Sequence, residues 1–302
     1  AVPDTQLVFP FRSRSKEVLT WVIDKSPDWK PKYYLGLIYW TSDEEKASEL
    51  FNKCGTPDFA PFHAAKAALM KEHGIETLQY AGKLDPSTWR YGKLLINQFI
   101  SNKDYPKALA VAKEYNKKFP QDFRLSMLLA KALLLNKQYK ACTDLLTKTS
   151  ILPYEGATEG RQLYREAWLM QAVEHIKSKN YTNALNAVNT SKLWPENLGV
   201  GKPYDEDIDS QLENYIESLC LEKSRPEKAI QKWNEITTVK SGSNSVNELI
   251  RALSFAKLGK QEEGKTILKA WTEKQPESQL AAWAMDVFSN NYPKTEIEGD
   301  ES

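Results

Sequence analysis

The chain has 302 residues and carries 41 Lys+Arg against 40 Asp+Glu, a formal net charge of +1. That balance supplies no electrostatic drive toward nucleic acid or an anionic membrane surface, and 41% hydrophobic with 27% charged residues is globular rather than disordered composition. No run of ten apolar residues occurs, which excludes a membrane-spanning helix and a signal-peptide core, so neither a nucleic-acid partner nor membrane insertion is expected. Only 13 Gly and 3 His argue against a nucleotide-binding α/β enzyme or a His-rich metal site, and no cofactor is expected. Because it opens on Ala1 rather than Met, the chain reads as a piece of a longer protein.

Residues 1–28 read as an entry segment, extended over Val2 to Phe11, and a leading helix from Lys16 to Lys25. From residue 29 to 277 one pattern recurs. Leu35-Gly36-x-x-Tyr39 is followed by Ala47, Phe51 and Cys54. Further sets are Gly74, Leu78 and Ala81; Ala108, Ala112 and Tyr115; Ala141 and Leu145; Ala184, Val188 and Ser191; Ala229, Trp233 and Ile236; and Gly264, Leu268 and Trp271. A small residue opens a helix where two helices cross closely, and larger residues four and seven positions on fill the stripe facing its neighbours. Pro86, Pro120, Pro153, Pro195 and Pro276 then follow, where proline's missing N–H and the restriction on its predecessor end a helix. Turns such as Asn102-Lys103-Asp104-Tyr105, Asn136-Lys137-Gln138-Tyr139 and Lys179-Asn180-Tyr181 predict the tight link within each hairpin, and alternating strand patterns are nearly absent. Residues 278–302 read as a closing helix, Gln279 to Asn290 with Trp283 and Phe288 on its apolar side, and an acidic tail from Thr295.

This pattern resembles the tetratricopeptide repeat, a helix–turn–helix unit of about 34 residues. The resemblance implies an all-α, right-handed α-α superhelix of about seven helical hairpins plus terminal helices. The small residues at 47, 74, 108, 141, 184, 229 and 264 are separated by 27, 34, 33, 43, 45 and 35 residues. Two consecutive intervals are therefore long, and the surplus lies in two loops, 152–165 and 193–207, at the same point of successive units. Inserted loops of such arrays map to one face, often the binding face. Tyr154, Glu155, Glu159, Arg161, Asn197, Lys202, Tyr204 and Asp205 are the candidate binding residues of a composite patch there, aromatic and charged groups carried on turn-forming Gly, with packing over the helix edges as the competing role.

The strings Lys30–Trp40, Leu152–Arg165 and Trp194–Asp205, with the opening Val2–Phe11, also resemble the C-terminal helical region of large bacterial proteins in which a galactose-mutarotase-like β-sandwich region precedes tetratricopeptide repeats. That resemblance implies a carbohydrate-related setting without naming a reaction. The leading expectation is a noncatalytic interaction or scaffold module whose partner is its own N-terminal domain or another protein, with carbohydrate as a further candidate ligand. The alternative is an accessory half of a carbohydrate-active enzyme, its loops completing the site of the sandwich domain. Glu155, Glu159 and Asp205 are then the acids to consider, although Asp205–Asp209 is better explained as an acidic helix start. The peptide-carboxylate clamp known in tetratricopeptide proteins has Lys93 and Asn97 at matching positions, but Met127 and Met170 stand where its polar anchors belong. His63, His73 and His175 are scattered, and Cys54, Cys142 and Cys220 read as small buried hydrophobes. Free thiols suit a reducing cytoplasm and equally a periplasmic protein that buries them, so the compartment stays open, with a periplasmic or secreted setting favoured over the cytoplasm.

Overall fold

The computed structural model describes residues 12–70, 74–154, 156–239 and 245–290, together with Thr5 and Val8. The extended entry segment expected at Val2–Phe11 thus lies almost wholly outside the described residues, as do His73, Glu155 and the acidic tail. The described residues form sixteen α-helices, short 3-10 turns and no strand. The chain divides into two compact units, Ala1–Lys137 and Gln138–Ser302.

In the first unit α1 (Ser13–Ile23) precedes three hairpins: α2 (Trp29–Tyr39) with α3 (Glu44–Asn52), α4 (Ala60–Leu69) with α5 (Ile75–Leu84), and α6 (Trp89–Ser101) with α7 (Tyr105–Lys118). The unit ends on α8 (Phe123–Leu135). The second unit opens on α9 (Tyr139–Leu146). Three hairpins follow: α10 (Glu159–Lys177) with α11 (Tyr181–Ser191), α12 (Gln211–Leu221) with α13 (Pro226–Thr238), and α14 (Asn247–Lys257) with α15 (Gln261–Lys274). The closing helix, α16, spans Gln279–Phe288.

Local chemistry sets the helix ends. Asp28, Asp43, Asp104, Asp122, Asn180 and Ser278 accept hydrogen bonds from backbone N–H groups of the first turns they precede, satisfying donors the helix cannot. Lys103 and Lys179, inside hairpins, and Lys137, which follows α8, occupy the left-handed region, with φ of 54°, 59° and 58°. The next residue folds back: Asp104 N–H donates to Phe99 O (2.8 Å) and Asn180 N–H to His175 O (2.8 Å), the wider bond of a Schellman turn.

The small-residue pattern is a crossing pattern. Ala47, Ala108, Ala184 and Ala229 are completely buried, and Gly36 is buried against Phe51. A Cβ on Gly74 would lie 2.5 Å from Ala67 O, and one on Gly264 would lie 2.7 Å from Ala252 O, so the helices there approach closer than any side chain allows. One position is corrected: Ala141 is exposed, and Cys142, fully buried with Leu146, takes the crossing position. Counted from its first residue, α9 buries its fourth, as α7 buries Ala108 and α11 buries Ala184.

Apolar clusters are local. Tyr33, Phe51, Cys54, Phe62 and Ala65 join α2, α3 and α4; Leu169, Ala172, Ala187, Val188 and Ile216 join α10, α11 and α12; Leu249, Ala252, Leu268, Trp271, Ala281, Ala284 and Phe288 join α14, α15 and α16. Trp283 is partly buried against the last of these, on the side expected from the sequence.

Candidate functional site

Both inserted loops belong to the second unit: one runs from α9 to α10, the other from α11 to α12. The second loop contains 3-10 turns at Glu196–Leu198 and Asp205–Asp207. The loops touch. Ile151 N–H donates to Asn197 O (2.8 Å), and the Asn197 side-chain amide donates to Leu146 O (2.9 Å) and Thr149 O (2.6 Å). Leu198 is fully buried, and Gly199, at φ 74°, lets the chain turn where a Cβ would lie 2.9 Å from Ile151 O.

The sequence reads 152–165 as loop, but α10 starts at Glu159, so Glu159 and Arg161 stand in its first turn. Glu159 is exposed, as are Tyr154 and Tyr204, the latter at 77%. Arg161 is the opposite: only 5% exposed. Its guanidinium lies over the Trp194 ring at 4.5 Å and donates from Nη2 to Ser191 O (2.8 Å). Among the described residues nothing accepts from its Nε or Nη1, and the Trp194 Nε1 is likewise unmatched. Burial, helped by the neighbouring Arg165, pulls the Arg161 pKa below its ordinary value.

A cavity of about 430 Å³ opens beneath the second loop. Of the candidate residues, Arg161, Lys202 and Asp205 line it; Asn197 instead fastens the loops together. Arg165, Lys192, Trp194, Asp207, Ile208, Asp209 and Glu213 also line it, and sequence reasoning did not select them as a site. The reason is pairing at long sequence separation. Arg165 holds the buried Glu213 with two bonds (2.5 and 2.7 Å) that span 48 residues. Lys192 reaches Glu217 (2.6 Å), which also takes Lys232 (3.0 Å). Burial alone would raise the Glu217 pKa, but the hydrogen bonds from Lys192 and Lys232 outweigh it and the net shift is downward. Lys202 pairs with Asp205 at the exposed rim (2.7 Å).

Elsewhere, His63 is buried with Nε2 2.8 Å from Pro57 O. Among the described residues no group of three His, Cys, Asp or Glu side chains is placed to hold a metal, and no helix is long and apolar enough to cross a membrane.

No protein-family model matches this chain, and no curated protein matches it. Solved structures do. The structure of Naa15/Naa10 bound to HypK-THB aligns over 90% of this chain at 16% identity, with a TM-score of 0.50. The C-terminal part of a TPR repeat-containing protein from Cytophaga hutchinsonii aligns over 90% of this chain and 94% of its own at 11% identity, with a TM-score of 0.45. The chain spans 41% of the Naa15/Naa10 chain it matches and 58% of that in the APC/C hetero-tetramer Cut9-Hcn1, where identity is 10% and the TM-score 0.42. With the hairpin geometry above, the first likeness shows the fold: an all-α array of tetratricopeptide-type helical hairpins.

Proposed function

We propose that this chain is a noncatalytic protein-interaction module whose docking surface is the edge carrying the two inserted loops. One observation carries the reading. The loops are fastened to each other and to α9, yet leave Leu152, Tyr154, Leu193 and Tyr204 exposed. Ordered loops that present large apolar groups to water suit a surface awaiting a partner. The finer reading rests on the resemblance of the loop strings: the occupant is the N-terminal β-sandwich region of a larger bacterial protein, and a carbohydrate-active enzyme assembled across that contact is the alternative form.

Hydrogen exchange in the longer protein, set against this chain alone, tests the docking. The amides of Leu152, Tyr154, Lys202 and Tyr204–Asp207 are expected to gain protection in the longer protein. The gain should disappear when Leu152, Tyr154 and Tyr204 are changed to Ser. Equal exchange in both proteins would overturn the reading. Sugar-dependent activity of the longer protein that is lost on changing Glu159 and Asp205, with docking retained, would instead favour the enzyme form.

A further inference from the structure

We propose that the cavity beneath the second loop is a carboxylate-binding site anchored by Arg161. The proposal does not depend on the docking reading above. A guanidinium that is 5% exposed and leaves Nε and Nη1 without an acceptor among the described residues is costly to the fold, because a buried charge needs a partner and hydrogen bonds to offset lost hydration. An apolar side chain of similar size would pack there without that cost. Trp194, stacked on the guanidinium, adds a third donor without an acceptor at Nε1. Both side chains form part of the cavity wall. The surplus at this wall is therefore of hydrogen-bond donors around the Arg161 guanidinium, and the missing component is an acceptor that suits a cation.

The other charges narrow its class. Arg165 is already held by Glu213, and Lys202 by Asp205. Four cations and four carboxylates line the cavity in all, so its formal charges balance; a singly charged acid at Arg161 is opposed by Asp207 and its neighbours less than a doubly charged phosphate is. Arginine favours carboxylate oxygens through charge-assisted bonds. Trp194, Pro203 and Ile208 give apolar wall for an organic body, and about 430 Å³ exceeds what a bare ion needs. Nε and Nη1 are shielded from bulk water beneath the Trp194 ring, so the proposed binding requires the indole to move aside to admit the acceptor.

The test uses the whole chain and sodium benzoate as probe, with benzamide and sodium phosphate as controls at matched ionic strength. Benzoate is expected to raise the midpoint of thermal unfolding by a few degrees and to move the Trp194 indole N–H resonance, while benzamide does neither. Arg161→Met should abolish both responses. Asp207→Asn, at an exposed position, should strengthen benzoate binding about two- to fivefold, which keeps the proposal testable if the Arg161 variant does not fold. A blocked tripeptide carrying one Asp, run beside benzoate, distinguishes an acidic side chain from a free acid as the source, by whichever binds tighter. Equal effects of benzoate and benzamide, a response that survives Arg161→Met, an Asp207→Asn variant with unchanged or weaker binding, or phosphate outcompeting benzoate would each overturn it.

Discussion

Lys179 sits at φ 59°, a conformation in which a Cβ costs about 1 kcal/mol and glycine pays nothing. Lys179→Gly is therefore expected to stabilise the second unit by up to roughly 0.5 kcal/mol, after the greater flexibility of glycine in the unfolded chain is deducted, and a thermal melt checks it. The cysteines give a second residue-scale test. Burial pushes the thiol pKa up to about 11 for Cys54 and Cys220 and to about 12 for Cys142. At pH 8 the thiolate fraction is then on the order of one in a thousand or less, so iodoacetamide should leave all three unmodified in native protein and label them after denaturation. Their burial was legible in the sequence as apolar periodicity. The register around Cys142 was not: Ala141 and Cys142 are both small, and only the start of α9 at Tyr139 decides which one faces the crossing. Arg161 was legible as a candidate but not as a buried one, because the boundary of α10 and the ring of Trp194, 33 positions away, determine its surroundings.

Among the elements, the hairpins were readable because each is specified within some 35 residues: a stripe, a turn and a cap. The contact between the inserted loops depends instead on one amide. Asn197→Ala removes both side-chain bonds to the carbonyls of Leu146 and Thr149; Leu146 O keeps a longer bond from Thr149 N–H (3.3 Å), while Thr149 O loses its 2.6 Å donor. It is expected to cost about 1–3 kcal/mol and to speed amide exchange at Ile151, whose own bond runs to Asn197 O; exchange at Ile151 that does not change would show that the loops hold together without it. The Lys192–Glu217–Lys232 cluster ties the second loop's start to α12 and α13. A carboxylate whose folded pKa is depressed stabilises the fold above its unfolded pKa and loses that contribution as pH falls through the folded value. The stability gap between the native chain and Glu217→Gln should therefore be full near neutrality and close progressively below the ordinary carboxylate range. A gap that persists unchanged at pH 3 would show that the carboxylate's charge is not what Glu217 contributes.

At the scale of the whole molecule, the apolar residues fall into clusters contributed by consecutive helices, so stability is expected to approximate a sum of neighbour terms. This follows from the spacing of the pattern: a stripe four and seven positions from each small residue fills only the interval to the adjoining helices. A local insult should then stay local. Ala229 is fully buried and packs with Leu221 and Trp233, against which Leu185, Tyr215 and Leu258 lie. Ala229→Leu overfills that crossing and should cost about 1–3 kcal/mol. Hydrogen exchange should rise in α12, α13 and the C-terminal end of α14, next to Leu258. The Tyr33–Phe51–Phe62 cluster, contributed by α2, α3, α4 and Cys54 just past α3, shares no side chain with the substituted crossing and should keep its protection. If exchange instead rose equally in both places, the chain would be unfolding as a single cooperative body rather than hairpin by hairpin.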